Sequence, residues 1–369
     1  MPGAAQRASA PIGTARAVEQ VFREAGGGRL IEARTETARG RGTIMVRFVR
    51  GTWMCHATVD PRTGSVLSIV DDGPRVPVPT PPLSAAAPVA TQLDFRTIWD
   101  VQAAVDDPAV AYVATDAGVG RVRLGRDLAW TLTVEDHHGT GFGATRHVAA
   151  VPGGVVGTTA DGRAFRLDAD GRRCWATWLP AAPHTIVADP GGNRLLLATD
   201  AGALEVNAAT GAVLGVGGGP VRAAAYLPGG GHLLAGHRGE LLVTGARGGV
   251  RRRHEQDGYV ERLWAYAGKV FLAGEHGLKE ISPGKGVVAQ WSAPGAGAVQ
   301  SAVVAGGLAF TCTRDGRVDR HDQATAAWHG TLPGLPDHPS AVTTVDPGAG
   351  PWLLTGHRDG RLTASAVRG

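Results

Sequence analysis

Several residue types and patterns are scarce in this chain of 369 residues. Its three cysteines, Cys55, Cys174 and Cys312, lie far apart and outside any Cys-x-x-Cys pair. That spacing disfavours both a disulfide framework and a zinc site built on paired cysteines. No run of about 20 apolar residues is present, and Met1–Gly13 lacks the charged start and apolar stretch of a signal peptide. We therefore expect a soluble, cytoplasmic protein that has no membrane partner.

Motifs of known catalytic centres are also missing. The sequence has no HExxH, no GxSxG and no phosphate loop ending in Gly-Lys-Ser/Thr. His137-His138 lies where we expect a solvated loop between blades. Asp168-Ala-Asp170-Gly171 is similar to a calcium loop but lacks the further ligands and the closing Glu. We accordingly predict no catalytic residue, no metal site and no cofactor.

Glycine, in contrast, is abundant, with 55 residues set in short clusters between apolar runs. From about residue 90 to the end the sequence repeats, and one turn glycine recurs at intervals of 44, 40, 37, 38, 39 and 44 residues. These glycines are Gly118, Gly162, Gly202, Gly239, Gly277, Gly316 and Gly360. A period near 40 residues with four short strands in each unit is typical of propeller blades. The pattern predicts an all-β fold in which residues 90–369 form a seven-bladed β-propeller.

The last repeat supplies only three strands before the chain stops at Gly369. A propeller closes its ring when the two ends of the chain share one blade, which also removes an exposed sheet edge. We therefore expect Val89–Phe95 to pair with Arg361–Val367 as the outer strand of the last blade.

The repeats resemble the broad family of seven-bladed WD40-like and quinoprotein-like propellers. Ala114-Thr-Asp-Ala-Gly118 returns as Ala198-Thr-Asp-Ala-Gly202, and Trp130, Trp175, Trp291 and Trp328 occupy similar places in fourth strands. The Trp-Asp signature that ends the third strands of WD40 repeats is absent. The resemblance implies the architecture and no particular activity.

Residues 12–70 have a different pattern, which predicts a small α+β module. Thr14 is expected to cap a helix that continues to about Ala25, and strands follow near 30–37, 43–49, 53–59 and 65–70. The helix, Gly28-Arg-Leu-Ile-Glu-Ala33 and Val59-Asp-Pro-Arg-Thr-Gly-Ser-Val-Leu67 resemble a PepSY domain. That resemblance implies a non-enzymatic interaction module.

Residues 71–89 are rich in proline and predict a semi-rigid linker, so we expect the module to be separable from the propeller.

Alignment of the repeats brings one set of residues to the start of each innermost strand. They are Asp100, Arg146, His184, Arg222, Arg262, Gln300 and Ala341. Because the first strand of each blade lines the channel, we expect these side chains to surround one channel mouth. Two interpretations stay open: the polar residues hydrate the channel end and bind neighbouring blades, or the three arginines accept an anion or acidic peptide.

The leading functional hypothesis is a non-catalytic scaffold that binds a protein partner through the propeller faces and the N-terminal module. The alternative is an enzyme of the calcium-dependent hydrolase or lactonase type, or of the quinoprotein-like dehydrogenase type. One acid, Asp100, among several arginines is poor for calcium. A second alternative is nucleic-acid binding, for which the net charge of +4 and the basic run Arg251–His254 are weak support.

Overall fold

The structure is a computed structural model, and it describes residues 11–38, 41–50, 53–74, 88–93, 97–126, 130–215, 217–246 and 248–367. Most of the predicted linker, residues 75–87, lies outside these ranges, and so does Phe95 of the predicted closing strand. Within the described ranges, none of the helices is long and apolar enough to cross a bilayer.

The N-terminal module consists of one helix and four antiparallel strands. Its elements are α1 (Thr14–Ala25), β1 (Gly27–Ala38), β2 (Arg41–Arg50), β3 (Trp53–Val59) and β4 (Val66–Pro74). The predicted cap is wrong by one residue, since Gly13 is the N-cap and no side chain caps the helix. The helix ends where Gly26 adopts the left-handed conformation, and the chain enters β1 at once.

After β5 (Val89–Gln92), the chain forms a series of antiparallel sheets. Blade one contains β6 (Ile98–Ala103), β7 (Val110–Thr115), β8 (Gly118–Arg126) and β9 (Trp130–Gly139). Blade two contains β10 (Thr145–Val151), β11 (Gly154–Thr159), β12 (Arg163–Asp168) and β13 (Arg173–Trp178). The third sheet contains β14 (Pro183–Ala188), β15 (Arg194–Thr199) and β16 (Gly202–Asn207). Blade four contains β17 (Val221–Tyr226), β18 (His232–Gly236), β19 (Glu240–Thr244) and β20 (Val250–Glu255).

The remaining blades complete the ring. Blade five contains β21 (Val260–Tyr266), β22 (Lys269–Gly274), β23 (Gly277–Ser282) and β24 (Gly286–Trp291). Blade six contains β25 (Val299–Ala305), β26 (Leu308–Thr313), β27 (Val318–Asp322) and β28 (Trp328–Thr331). The last blade contains β29 (Pro339–Val345), β30 (Trp352–His357) and β31 (Arg361–Ala366), with β5 as its outer strand.

In the described residues the fold is a β-propeller with six four-stranded blades, fewer than the seven that the repeat count predicts. The difference lies in the third sheet, which has three strands. Beyond β16, two isolated bridges among the described residues join it to the next segment, Val206 to Val213 and Ala203 to Gly217. Residues 215–219 include four glycines, and glycine weakens a ladder because it has no side chain to pack.

A continuous circle of inner strands surrounds the central channel. Each of β6, β10, β14, β17, β21, β25 and β29 contacts the next, and β29 contacts β6. The last blade takes its fourth strand from the other end of the chain, with Arg361 opposite Gln92 and Ala364 opposite Val89. The seven turn glycines of the repeat all have positive φ, from +83° at Gly239 and Gly360 to +148° at Gly118. This is the conformation for which the repeat retains glycine.

The N-terminal module continues the sheet of blade five. Strand β1 pairs antiparallel with β24, with Gly27 opposite Trp291 and Arg29 opposite Ala289. Blade five and β1–β4 therefore form one eight-stranded sheet. The sequence predicts a separable module on a spacer, and that prediction does not include the pairing of β1 with β24.

The module and the propeller also share a hydrophobic core. Phe22 and Phe48 of the module are fully buried in one cluster with Leu241 of blade four and Leu263 of blade five. At the edge of this core, Lys279 of β23 lies 3.6 Å from Glu19 of α1 and donates to Gln256 at 3.1 Å. Burial raises the pKa of Glu19 and lowers that of Lys279. The module and blades four and five should unfold together.

The variant Gly27→Ala tests the junction between β1 and β24. Gly27 has a φ of +110°, and a Cβ atom there would lie 2.8 Å from the backbone oxygen of Gln290. We expect the substitution to lower the free energy of unfolding by about 1–3 kcal/mol, measured by urea denaturation with circular dichroism. Gly42→Ala is the matched control, because Gly42 lies in β2 with open space around it. Equal stability of the two variants would contradict the shared sheet.

Candidate functional site

Every inner strand carries one extra residue near its start, where the pairing with the second strand shifts by one. These bulge residues are Trp99, Arg146, His184, Arg222, Glu261, Gln300 and Ser340. We call this end of the channel the upper mouth, and the end where the inner strands finish the lower mouth. The predicted ring is thus out of register in three blades, because Asp100, Arg262 and Ala341 each follow the bulge.

The shift gives Asp100 and Arg262 a role different from that of the mouth residues. Nη2 of Arg262 lies 2.7 Å from Oδ1 of Asp100, and their side chains are only 16% and 1% exposed. Asp100 also accepts hydrogen bonds from the backbone N–H groups of Val101 at 2.9 Å and Val148 at 3.2 Å. Because blades one and five are not neighbours, this ion pair spans the channel, just below the bulge residues of the upper mouth.

The predicted residues His184 and Arg222 do meet at the upper mouth. Nη1 of Arg222 lies 3.4 Å from Nδ1 of His184, whose Nε2 lies 2.8 Å from Asp200. His237 approaches the same carboxylate oxygen at 3.0 Å. The hydrogen bond from His184 and the nearby imidazoles lower the pKa of the exposed Asp200.

The atoms of His184, Asp200 and His237 lie close enough to surround a metal ion. The contact with Arg222 opposes that use. An arginine donates and cannot accept, so Nδ1 of His184 must be the acceptor and Nε2 must carry the proton. A bound metal needs the lone pair of that Nε2 and would also be repelled by the guanidinium. The arrangement is best described as a hydrogen-bonded network.

Two other residues of the upper mouth, Glu261 and Gln300, form ion pairs or hydrogen bonds with other residues of the protein. Glu261 accepts from Arg222 at 3.4 Å and forms a close ion pair with Arg314, so it balances the charge of the mouth. The amide of Gln300 donates to the carbonyl of Pro339 at 2.8 Å and thereby joins blade six to the last blade. Gln300 and Arg222 therefore both contact residues of neighbouring blades.

Arg146 is the exception among the three predicted arginines. Its guanidinium lies 3.6 Å above the ring of Trp99, and no carboxylate of the described residues forms an ion pair with it. The indole N–H of Trp99 also has no hydrogen-bond partner among them. On the same face, Arg163 stacks 4.0 Å above Trp178, which is 61% exposed. These residues form what we call the Arg–Trp surface: Trp99, Arg146, Arg163 and Trp178.

His147, the residue after the bulge of β10, lies between the charged groups. Burial lowers the pKa of His147 to about 4, while Asp100 raises it and Arg262, His184 and Arg146 lower it. The imidazole is therefore uncharged at neutral pH. It adds no positive charge to the centre of the channel.

Comparison with protein-family models gives no match to this chain, and neither does comparison with curated proteins. The function is therefore inferred from the geometry of the channel.

The sequence alone did not predict Trp99, Glu261 and His147 as residues of this site. In most blades a polar residue lies between the bulge residue and the apolar run of the inner strand, as Asp100 does after Trp99 and Arg262 does after Glu261. The position of the apolar run therefore does not by itself identify the bulge.

The His147→Asn variant tests whether the fold holds the imidazole of His147 neutral. A histidine whose folded pKa is about 4 binds its proton more readily in the unfolded chain, where the value is 6.5. The unfolding free energy should therefore fall as the pH is lowered from about 6.5 to 4. Burial lowers the pKa of His321 to about 3, which acts in the same direction. His147→Asn should make this decline smaller, as measured by urea denaturation across that pH range.

The control for this experiment is His254→Asn on the outer strand β20, which should retain the decline of the wild type. His254 is bonded there to the carbonyl of Pro283 at 3.0 Å. A decline that is the same in His147→Asn and in the wild type would show that His147 is not held neutral by the fold.

Proposed function

We propose that this protein is a non-catalytic scaffold that binds a protein partner through the upper face of its propeller. The observation that carries the proposal is the Arg–Trp surface. The hot-spot residues of protein interfaces are enriched in arginine and tryptophan, and here both types lie at the channel end and on blade two. A rigid ring of sheets holds them in place, which limits the entropy lost on binding.

The partner is best matched by an acidic segment. Arg146 has no carboxylate partner among the described residues, while Arg222 shares Glu261 and Arg262 is bound to Asp100. A carboxylate of the partner would supply the missing acceptor for Arg146 in a charge-assisted hydrogen bond. Exposed Trp178 would then cover an apolar side chain beside it.

Two finer features of the architecture belong to the same proposal. The third sheet acts as a seventh blade, which is supported by the contacts of β14 with β10 and β17 and by the bridges at Val213 and Gly217. The N-terminal module acts as a second, PepSY-like contact region. Its single helix on four antiparallel strands supports that assignment.

We also propose a cytoplasmic location. Cys55, Cys174 and Cys312 are all unpaired thiols. Burial raises the pKa of Cys55 and of Cys312 to about 12, which keeps both protonated. Free thiols suit a reducing compartment.

Binding of a fluorescein-labelled glutamate-rich peptide tests the proposal. We expect the full chain to bind it in low salt, with an affinity that falls as salt is added. Arg146→Ala should weaken binding by about tenfold or more, because it removes a charge-assisted hydrogen bond worth about 1.5–3 kcal/mol. Fluorescence anisotropy gives the dissociation constants. The conservative Arg146→Lys variant should recover part of the affinity.

Arg253→Ala is the matched control, since Arg253 is an exposed arginine on the outer strand of blade four. It should bind the peptide as the wild type does. Affinity capture from the native cell, with wild type and Arg146→Ala as baits, then identifies the partner that depends on this surface. Unchanged peptide binding by Arg146→Ala, or no binding by the wild type in low salt, would contradict the proposal.

A further inference from the structure

The lower half of the channel is an open cavity of about 610 Å³. The later residues of the inner strands line it, mostly with small apolar side chains such as Ala150, Val187 and Val303. Trp264 and Tyr266 also line it, both on strand β21 of blade five. Such a volume lies within the range of pockets that hold small organic ligands, and apolar walls are typical of them.

Apolar residues are exposed at the lower mouth. Val105 is 56% exposed and Tyr266 is 47% exposed, and both line the cavity. Next to Tyr266, Ala267 has a φ of +49°, an unfavourable backbone conformation for alanine. Exposed apolar side chains around an apolar cavity are common at ligand sites, since a ligand removes them from water.

Arg262 gives the cavity one cationic group, at its inner end. Its Nη2 holds Oδ1 of Asp100 at 2.7 Å, and the rest of the guanidinium also has N–H donors. Asp100 is not part of the cavity lining, and its carboxylate accepts two backbone N–H groups as well. The remaining N–H donors of Arg262 can therefore donate to a second acceptor, such as a ligand carboxylate. His147 nearby is uncharged at neutral pH, because burial lowers its pKa to about 4.

We propose that the lower cavity binds a small apolar carboxylic acid. Its hydrocarbon body lies against Ala150, Val187 and Val303, and its carboxylate accepts hydrogen bonds from the free side of Arg262. Trp264, which is stacked on Phe271 with ring centroids 5.6 Å apart, is a fixed wall for that body. This site does not depend on the Arg–Trp surface, which lies beyond the Asp100–Arg262 pair.

Decanoate and decan-1-ol, titrated into the full chain by calorimetry, test this inference. The two probes have the same chain and differ in the charge of the head group. We expect decanoate to bind about tenfold more tightly or better, because only it forms a charge-assisted hydrogen bond with Arg262. Tighter or equal binding of decan-1-ol, or no binding of decanoate, would overturn the proposal.

Two variants locate the site. Ala265→Trp fills the cavity from an exposed position of its lining and should abolish the binding of decanoate. Ala209→Trp, at an exposed position in the turn after β16, is the matched control and should bind as the wild type does. Unchanged binding by Ala265→Trp would place decanoate elsewhere and overturn the proposal.

The double variant Asp100→Asn with Arg262→Gln replaces the ion pair by two neutral amides. We expect it to bind both probes with similar affinity, so that the preference for decanoate is lost. A preference that persists in the folded double variant would overturn the role of Arg262. Thermal unfolding of each variant shows that it is folded, and the comparison of the two probes on the wild type needs no variant at all.

Discussion

The ion pair between Asp100 and Arg262 is the interaction on which the channel depends. It joins two blades that are not neighbours, and it is almost completely buried. Burying a carboxylate is costly unless it is paired and hydrogen-bonded, and Asp100 meets that condition with Arg262 and two backbone N–H groups. The pair lies between the polar upper mouth and the apolar lower cavity, for which we propose two different ligands.

The surrounding frame explains why side chains at the two mouths can be held in place. The inner strands contact one another around the whole ring, and β5 completes the last blade from the far end of the chain. The N-terminal module is part of this frame, because β1 continues the sheet of blade five and Phe22 enters the same core as Leu263. Under the proposed scaffold function, such a frame would lose little conformational entropy when a partner binds.

Much of the fold could be predicted from the sequence because its signals are local and repeated. Turn glycines such as Gly118 recur with the blades, and the three-stranded last repeat pointed to the segment before blade one. The sequence does not reveal the bulges, because the extra residue that shifts the register belongs to no single residue type. Alignment of the repeats therefore matches Arg146 with Asp100, whereas the structure matches it with Trp99. The pairing of β1 with β24 joins residues more than 250 positions apart, as Gly27 opposite Trp291 illustrates, and such long-range pairing has no local signal.

A double-mutant cycle on Asp100 and Arg262 tests the central claim most directly. Asp100→Asn, Arg262→Gln and the double variant are compared with the wild type in urea denaturation. A direct buried pair predicts that the single losses do not add, with a coupling energy of about 1.5 kcal/mol or more. Losses that add to within about 0.5 kcal/mol would show that the two side chains do not interact across the channel, and would contradict the division into two sites.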